Sequence, residues 1–242
     1  MKYSFIIPTL NEEKLLPILL EQFVESNILQ IYNCELIISD GGSVDSTIEI
    51  AKKYTNKIIL HNSNYRQTIA EGRNNGAIIA SGDVFIFINS DIEFENLSKF
   101  MERVEYIFNK KNYLAMTCFI NIHPNQRIFM DRIFLSFYNW YFLILNNSGV
   151  GMGRGECQII PKKIFYEVGG YNQKLVAGED FDLFKRIRKK GKILFDKNSI
   201  IYESPRRYRE YGHSTIFFAW LLNAISVIFK NKSVSKEWEE VR

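Results

Sequence analysis

The sequence predicts an α/β fold, with a mainly parallel central sheet flanked by helices and an apolar helix added at the C-terminus. Three observations lead there. Short apolar runs alternate with helical patterns through the first half of the chain, as in parallel sheets with crossover helices. Each early run stops at a cluster of turn-forming or polar residues. Finally, 242 residues with 46% apolar and 24% charged composition suit a chain that buries a full core.

The elements follow in order. Tyr3 to Ile7 reads as a first buried strand stopped by Pro8. Asn11 to Ser26 carries Leu15, Leu16, Leu19, Leu20 and Phe23 at helical spacing, with Thr9 or Asn11 as its cap. "CELIISD" is a second strand that ends at Asp40-Gly41-Gly42-Ser43, and a helix from about Ser46 to Tyr54 follows. "KIILHN" is a third strand, "TIAEGRNNGAIIAS" a helix of small residues, and "DVFIFINSD" a fourth strand. Beyond Asn96 the alternation loosens. Helices are predicted at Leu97 to Asn109, Arg127 to Leu145, Lys162 to Val168 and through "GEDFDLFKRIRKKG". Strands fall at "YLAMTCFINI", at the end of "GVGMGRGECQIIP" and in "KILFDKNSIIYE". Thr215 to Phe229 is an apolar helix and a charged tail closes the chain. We expect one fused domain over 1–212, with a nucleotide-binding half at 1–92 and a second half at 93–212, followed by the helix and tail at 213–242.

Composition excludes several classes. A net charge of +4 is too mild to argue for nucleic acid. Cys34, Cys118 and Cys157 are scattered and odd in number, which fits neither a disulfide framework nor a metal-ligand spacing and favours a reducing compartment. "MKYSFIIPTLNEEK" lacks the apolar core of a signal peptide, and no apolar run reaches spanning length. The expected location is therefore cytoplasmic, with peripheral attachment to a membrane's inner face as an option.

The strand ends carry the chemistry. Open α/β sheets hold ligands beyond the carboxyl ends of their strands. There the first strand delivers Thr9 and Glu12, the second Asp40, and the fourth Asn89, Ser90 and Asp91. Arg73, on the helix before the fourth strand, can reach the same edge with a planar fork suited to phosphate. Acids sharing one cleft repel unless a cation or donors offset them, and Mg²⁺ or Mn²⁺ suits such oxygen ligands. Each residue alone has a plainer use: Asp40 and Asp91 as turn formers, Glu12 as a first-turn acid, Arg73 as a solvated helix residue. Their joint placement argues for a site.

"FIIPTLNEE", "ELIISDGGSVDST", "GRNNGA" and "FINSD", followed by "CQIIPKKIFYEVGGYNQKLVAGEDFDLFKRIRKKG", resemble family 2 glycosyltransferases in order and spacing. The resemblance covers roughly residues 3 to 212. It implies the GT-A fold, a Rossmann-like sandwich, and transfer of a sugar from a nucleotide-sugar, with a divalent metal and inversion at the anomeric carbon. Carried over, Thr9 and Glu12 line the nucleoside pocket, Asp40 bonds the base, and Arg73, Asn89 and Ser90 lie at the donor. Asp91 is then the metal ligand at the end of an Asp-x-Asp motif whose first acid is replaced by Asn89. Asp180 matches the general base, with Glu179 orienting the acceptor or serving as the base itself. On residue chemistry alone, "GED" equally suits a helix N-terminus. His213 is a further metal candidate, against the plainer reading of a surface histidine. UDP is favoured over GDP by its frequency in the family.

Two features bear on the acceptor. "RIFMDRIFLSFYNWYFLIL" and Thr215 to Phe229 are rich in aromatic and apolar residues, and Arg206, Arg207 and Arg209 precede the second. Such segments suit a membrane surface or a lipid-phosphate acceptor; they equally suit a core or a homodimer interface. Two other functions are weighed. A nucleotide-sugar binder or membrane scaffold without activity would fit the loss of the first acid at Asn89. A sugar-phosphate nucleotidyltransferase would need a glycine-rich loop after the first strand, where this chain has "PTLNEE".

Overall fold

The computed structural model describes residues 1–230 and 232–234. Three parallel pairings form its first half. Strand β1 (Tyr3–Thr9) lies between β2 (Cys34–Asp40) and β4 (Val84–Ile88), and β2 also pairs with the short β3 (Ile58–Leu60). Here the strands are covered on both faces, which is why their sequences run continuously apolar rather than alternating. Phe5, Ile7, Ile86 and Ile88 face one core, with the helices α1 (Leu16–Glu25) and α5 (Leu97–Lys110); Ile6, Phe85 and Phe87 face another. Phe5 and Phe23 meet edge to face at 4.7 Å, a geometry favoured by the ring quadrupoles.

The second core lies under α4 (Ile69–Ile79), α7 (Lys162–Glu167) and α8 (Glu179–Arg188). Helix α4 can approach β1 closely because it carries Gly76. A Cβ added there would sit 2.3 Å from Ile6 Cγ2. Four further strands complete the sheet: β5 (Ile92–Phe94), β6 (Ala115–Asn121), β7 (Cys157–Pro161) and β8 (Ile193–Glu203). The full order is β3-β2-β1-β4-β7-β6-β8-β5. Only β6 and β8 pair in parallel within this part; β4–β7, β6–β7 and β5–β8 are antiparallel. The sheet is mixed, with its parallel block in the first half.

Remaining helices are α2 (Ile28–Ile31), α3 (Thr47–Ala51), α6 (Phe129–Asn147), α9 (Arg206–Tyr211) and α10 (His213–Lys230). Several boundaries depart from expectation. Helix α1 begins at Leu16, not Asn11, because Pro17 in its first turn lacks an N–H and sets the helical start. Asn11 instead takes a left-handed conformation (φ 53°) and its side chain accepts from the Val44 N–H. Neither Thr9 nor Asn11 caps α1. The strand β5 and helices α2 and α9 are not read from the sequence, each being too short for a period to show. The charged tail lies, from residue 235 on, outside the described residues.

Candidate active site

The register Thr9↔Asp40 puts the ends of β1 and β2 side by side, with the end of β4 on the other flank of β1. The Asp40 carboxylate is buried and accepts from Thr9 Oγ1 (2.9 Å), the Gly42 N–H (2.9 Å), the Ser43 N–H (2.8 Å) and Ser43 Oγ (2.5 Å). These bonds fill a carboxylate's acceptor capacity and fix the loop after β2. Glu12, also buried, is anchored by its own N–H to Thr47 Oγ1 at 2.7 Å.

Arg73 projects from α4 beneath the same edge and is 1% exposed. Its Nη1 donates to Glu179 Oε1 (2.8 Å), and Nη2 to Asn89 Oδ1 (3.0 Å) and the Gly155 carbonyl (2.7 Å). The Tyr171 ring lies 5.2 Å from the guanidinium. Burial works against this charge, yet Tyr171, Glu179 and Asp180 hold the pKa above its usual value. Asn89, whose amide oxygen this arginine occupies, thus joins the end of β4 to the start of α8.

Asp180 sits at that start, where left-handed Gly178 (φ 82°) turns the chain into the helix. Its carboxyl accepts from the Phe181 N–H at 2.7 Å, and its carbonyl from Gln158 Nε2 at 3.4 Å. The Tyr171 hydroxyl in turn donates to Gln158. Burial and the neighbouring Glu179 push the Asp180 carboxyl up to about 7, against the pull of Arg73. A pKa near the working pH is what a general base needs.

Asp91, just past Ser90, is half-buried. Arg206 from α9 clamps it: Nη1 and Nη2 donate to Glu12 Oε2 (3.1 Å) and Oε1 (2.6 Å), and Nη2 also to Asp91 Oδ2 (3.0 Å). The sequence suggests a membrane surface or a lipid-phosphate acceptor for Arg206, not these acids. Its partners are 194 and 115 residues away, and no local pattern could reveal them. Arg209 likewise turns inward, to Asp131 (2.6 Å). His213 bonds Asp131 Oδ1 at 2.8 Å, stacks on Tyr208, and is not among the residues lining the cleft around Asp91. Among the described residues no three His, Cys, Asp or Glu side chains converge as a metal cage.

Two adjoining chambers result. The first, about 410 Å³, is lined by Thr9, Glu12, Ser90 and Asp91 on one side and Arg206 and Arg207 on the other. The second, about 300 Å³, holds Arg73, Glu179 and Asp180 at one end and aromatic residues of α6 and α10 at the other. Ile69, Asn89, Glu156 and Trp220 line both. In the dividing wall Arg154 pairs with Glu156 (3.1 Å) and Glu203 (3.6 Å) and lies 5.6 Å from the Phe142 and Trp220 ring centres. Burial and Glu156 keep Glu203 protonated well above the carboxylate range. None of Arg154, Glu156 and Glu203 was singled out from sequence.

The family model Glycosyl transferase family 2 matches residues 4–168, more than half the chain. The chain belongs to this family. Over 180 residues it is 28% identical to poly(ribitol-phosphate) β-N-acetylglucosaminyltransferase TarS of Staphylococcus aureus, a match covering 73% of this chain and 26% of that protein. This member therefore spans about a quarter of the length of that relative. TarS residues 1–349 bound to UDP-GlcNAc superpose with a TM-score of 0.64 at 17% identity, over 98% of this chain and 68% of that one. Glucosyl-3-phosphoglycerate synthase from Mycobacterium tuberculosis, solved with Mn²⁺, UDP and phosphoglyceric acid, gives 0.64 at 15% identity, over 94% and 77%. The expected GT-A architecture is the one observed.

Proposed function

We propose that this family member is an inverting, metal-dependent glycosyltransferase that moves a sugar from a nucleotide-diphosphate donor, UDP before GDP, to a hydroxyl or lipid-phosphate acceptor. One observation carries the reading. Asp180 lies in a chamber that shares the wall residues Asn89 and Glu156 with the strand-end cleft, and its carboxyl is raised to about 7. The donor takes the cleft of Thr9, Glu12, Ser90 and Asp91, while buried Asp40, its acceptors filled, fixes Thr9 and the loop after β2 rather than bonding the base; the acceptor takes the chamber of Asp180.

With a hydroxyl acceptor, Asp180 removes the proton as the hydroxyl oxygen bonds to the anomeric carbon. The bond from that carbon to the diphosphate oxygen breaks, and its electron pair leaves with the nucleoside diphosphate. Attack from the face opposite the leaving group inverts the configuration. Arg73 and Glu179 hold the base in place, while Arg206 and Arg207 supply positive charge near the departing phosphates.

The donor set suits a hard divalent cation in part: Asp91 offers one carboxylate to the cleft, its Oδ2 contacted by Arg206 at 3.0 Å, and a substrate diphosphate can supply the further oxygens. Asp91 would hold Mn²⁺ or Mg²⁺, which when bound neutralises charge on the leaving diphosphate. Asn89 is engaged with Arg73 and belongs to the base's support rather than to the metal.

The test is a thermal-shift panel of UDP, GDP, CMP and TDP with and without Mn²⁺, followed by donor hydrolysis or transfer with the parent and Asp180→Asn. A ligand that prefers the folded state raises the melting temperature. We expect UDP with Mn²⁺ to give the largest rise and Asp180→Asn to keep that rise while losing turnover. Silence from every nucleotide would sink the reading. Binding without turnover in the parent would make the protein a nucleotide-sugar binder.

A further inference from the structure

The second chamber says what kind of acceptor it takes. Its walls are the side chains of Tyr138, Phe142, Met152, Phe181, Phe217 and Trp220. Most polar groups facing it are already bonded within the protein. Glu179 is held by Arg73, and Arg73 by Asn89 and Gly155 as well. Asn223 donates to the Ala219 carbonyl and accepts from the Val234 N–H. Arg154 has its charge met by Glu156; its two terminal nitrogens are buried without hydrogen-bond partners among the described residues. That leaves Asp180, the Tyr138 and Tyr141 hydroxyls, and the Arg154 terminal nitrogens set in the dividing wall as polar groups for a ligand.

A glycan acceptor would bring several hydroxyls into this space, and each one buried without a partner costs about 1–3 kcal/mol. A phosphate would meet Glu179, Asp180 and Glu156 at a place where both arginines are already ion-paired. Apolar surface, by contrast, gains about 25 cal/mol for every Å² that these walls remove from water. We propose that the acceptor is an alcohol carried on an apolar body, aryl or alkyl, its one reactive hydroxyl at Asp180 and its body against the aromatic walls.

The mouth of the chamber supports this. Phe137, Tyr141 and Leu221 line it and are 52%, 40% and 39% exposed. From there α6 continues outward with exposed Ile133, Trp140 and Ile144, spaced at turns of one helix face. An apolar tail too long for about 300 Å³ has a track to follow, continuous with the chamber that holds the base. This proposal rests on the glycosyltransferase reading, because Asp180 acts as the base in it.

The test uses the full chain with umbelliferone, a fluorescent aryl alcohol, in equilibrium dialysis, with decanol and cellobiose as competitors. Umbelliferone should bind, decanol should displace it and cellobiose should not. Leu221→Asp and Phe137→Ser, both at partly exposed positions where the fold tolerates change, should each weaken binding at least tenfold. Displacement by cellobiose, or binding indifferent to both substitutions, overturns the proposal. So does a dimer that Phe137→Ser dissociates and that binds no umbelliferone, which would give this face to a second copy of the chain. The UDP-dependent thermal shift, measured alongside, reports the donor reading separately: its absence together with variant-sensitive umbelliferone binding would remove the transfer reaction and keep the apolar site.

Discussion

Asp180 must be uncharged enough to sit in a chamber of aromatic rings and charged enough to take a proton. Its carboxyl, raised to about 7 by burial and by Glu179, meets both demands near neutrality. Activity should therefore climb with pH to a midpoint near that value, visible in a profile of kcat/KM, and Asp180→Asn should lower kcat by about 10²–10⁴-fold. Stability should run the other way. The folded carboxyl keeps its proton until about 7, whereas an unfolded aspartate releases it at about 3.9. The folded state binds the extra proton between those values, so stability falls as pH rises through that window. Asp180→Asn escapes this loss, and its melting temperature should gain on the parent's from acid to neutral pH. Gly155 is the second sensitive position. A Cβ there would lie 3.2 Å from Asp180 Oδ2 and 3.4 Å from Arg73 Nη2. Gly155→Ala should displace both by a few tenths of an ångström and lower kcat on the order of tenfold, since a full ångström costs about a hundredfold. An unchanged kcat would show that the base tolerates displacement. Asp40, Asp91 and Asp180 were legible because strand and helix ends can be located from apolar runs. Arg206 and Glu156 were not, because their partners are set by the tertiary fold.

Among elements, the junction of α6, α9 and α10 decides how the aromatic chamber is closed. Asp131, fully buried in the first turn of α6, accepts from Arg209 of α9 (2.6 and 2.8 Å) and contacts His213 of α10 (2.8 Å). Burial opposes its charge, but Arg209, the Ile128 N–H and His213 hold its pKa below the usual carboxylate value. This contribution is present above the ordinary carboxylate range and lost as pH falls through it. Asp131→Ala should cost about 3 kcal/mol in urea unfolding, the low end for a broken buried pair because Arg209 is partly solvated. It should also weaken umbelliferone binding, since α10 carries Phe217 and Trp220. A loss under 1 kcal/mol would mean that packing alone holds the junction. The sequence displayed α6 and α10 through their long apolar patterns yet not what joins them. "RRYREY" reads as a basic stretch, and only the fold turns Arg206 and Arg209 inward to acids. That inward turn engages Arg206 and Arg209 within the protein itself, although a membrane surface was one expectation for them. No helix among the described residues is long and apolar enough to cross a membrane.

At the scale of the whole molecule, one continuous sheet runs through both parts of the chain: β3, β2, β1 and β4 lie together, and β7, β6, β8 and β5 continue it. Strand β4 is the seam, parallel to β1 on one side and antiparallel to β7 on the other, while β5, which directly follows it, pairs with β8 at the far edge of the sheet. Arg73–Glu179 and Glu12–Arg206 add ion pairs between partners 106 and 194 residues apart. Removing either half would expose unpaired strand edges and leave buried charges without partners. The protein should then unfold as one cooperative unit, although its length would permit two. Tryptophan positions make this measurable, for Trp140, Trp220 and Trp238 all follow residue 92. Tryptophan fluorescence thus reports the second part alone, and far-UV circular dichroism reports both. Coincident urea midpoints from the two probes, shifted together by UDP, are the expected result. A dichroism transition that persists beyond the fluorescence midpoint would instead show that the parallel block of β1, β2 and β4 stands without the strands that close its site.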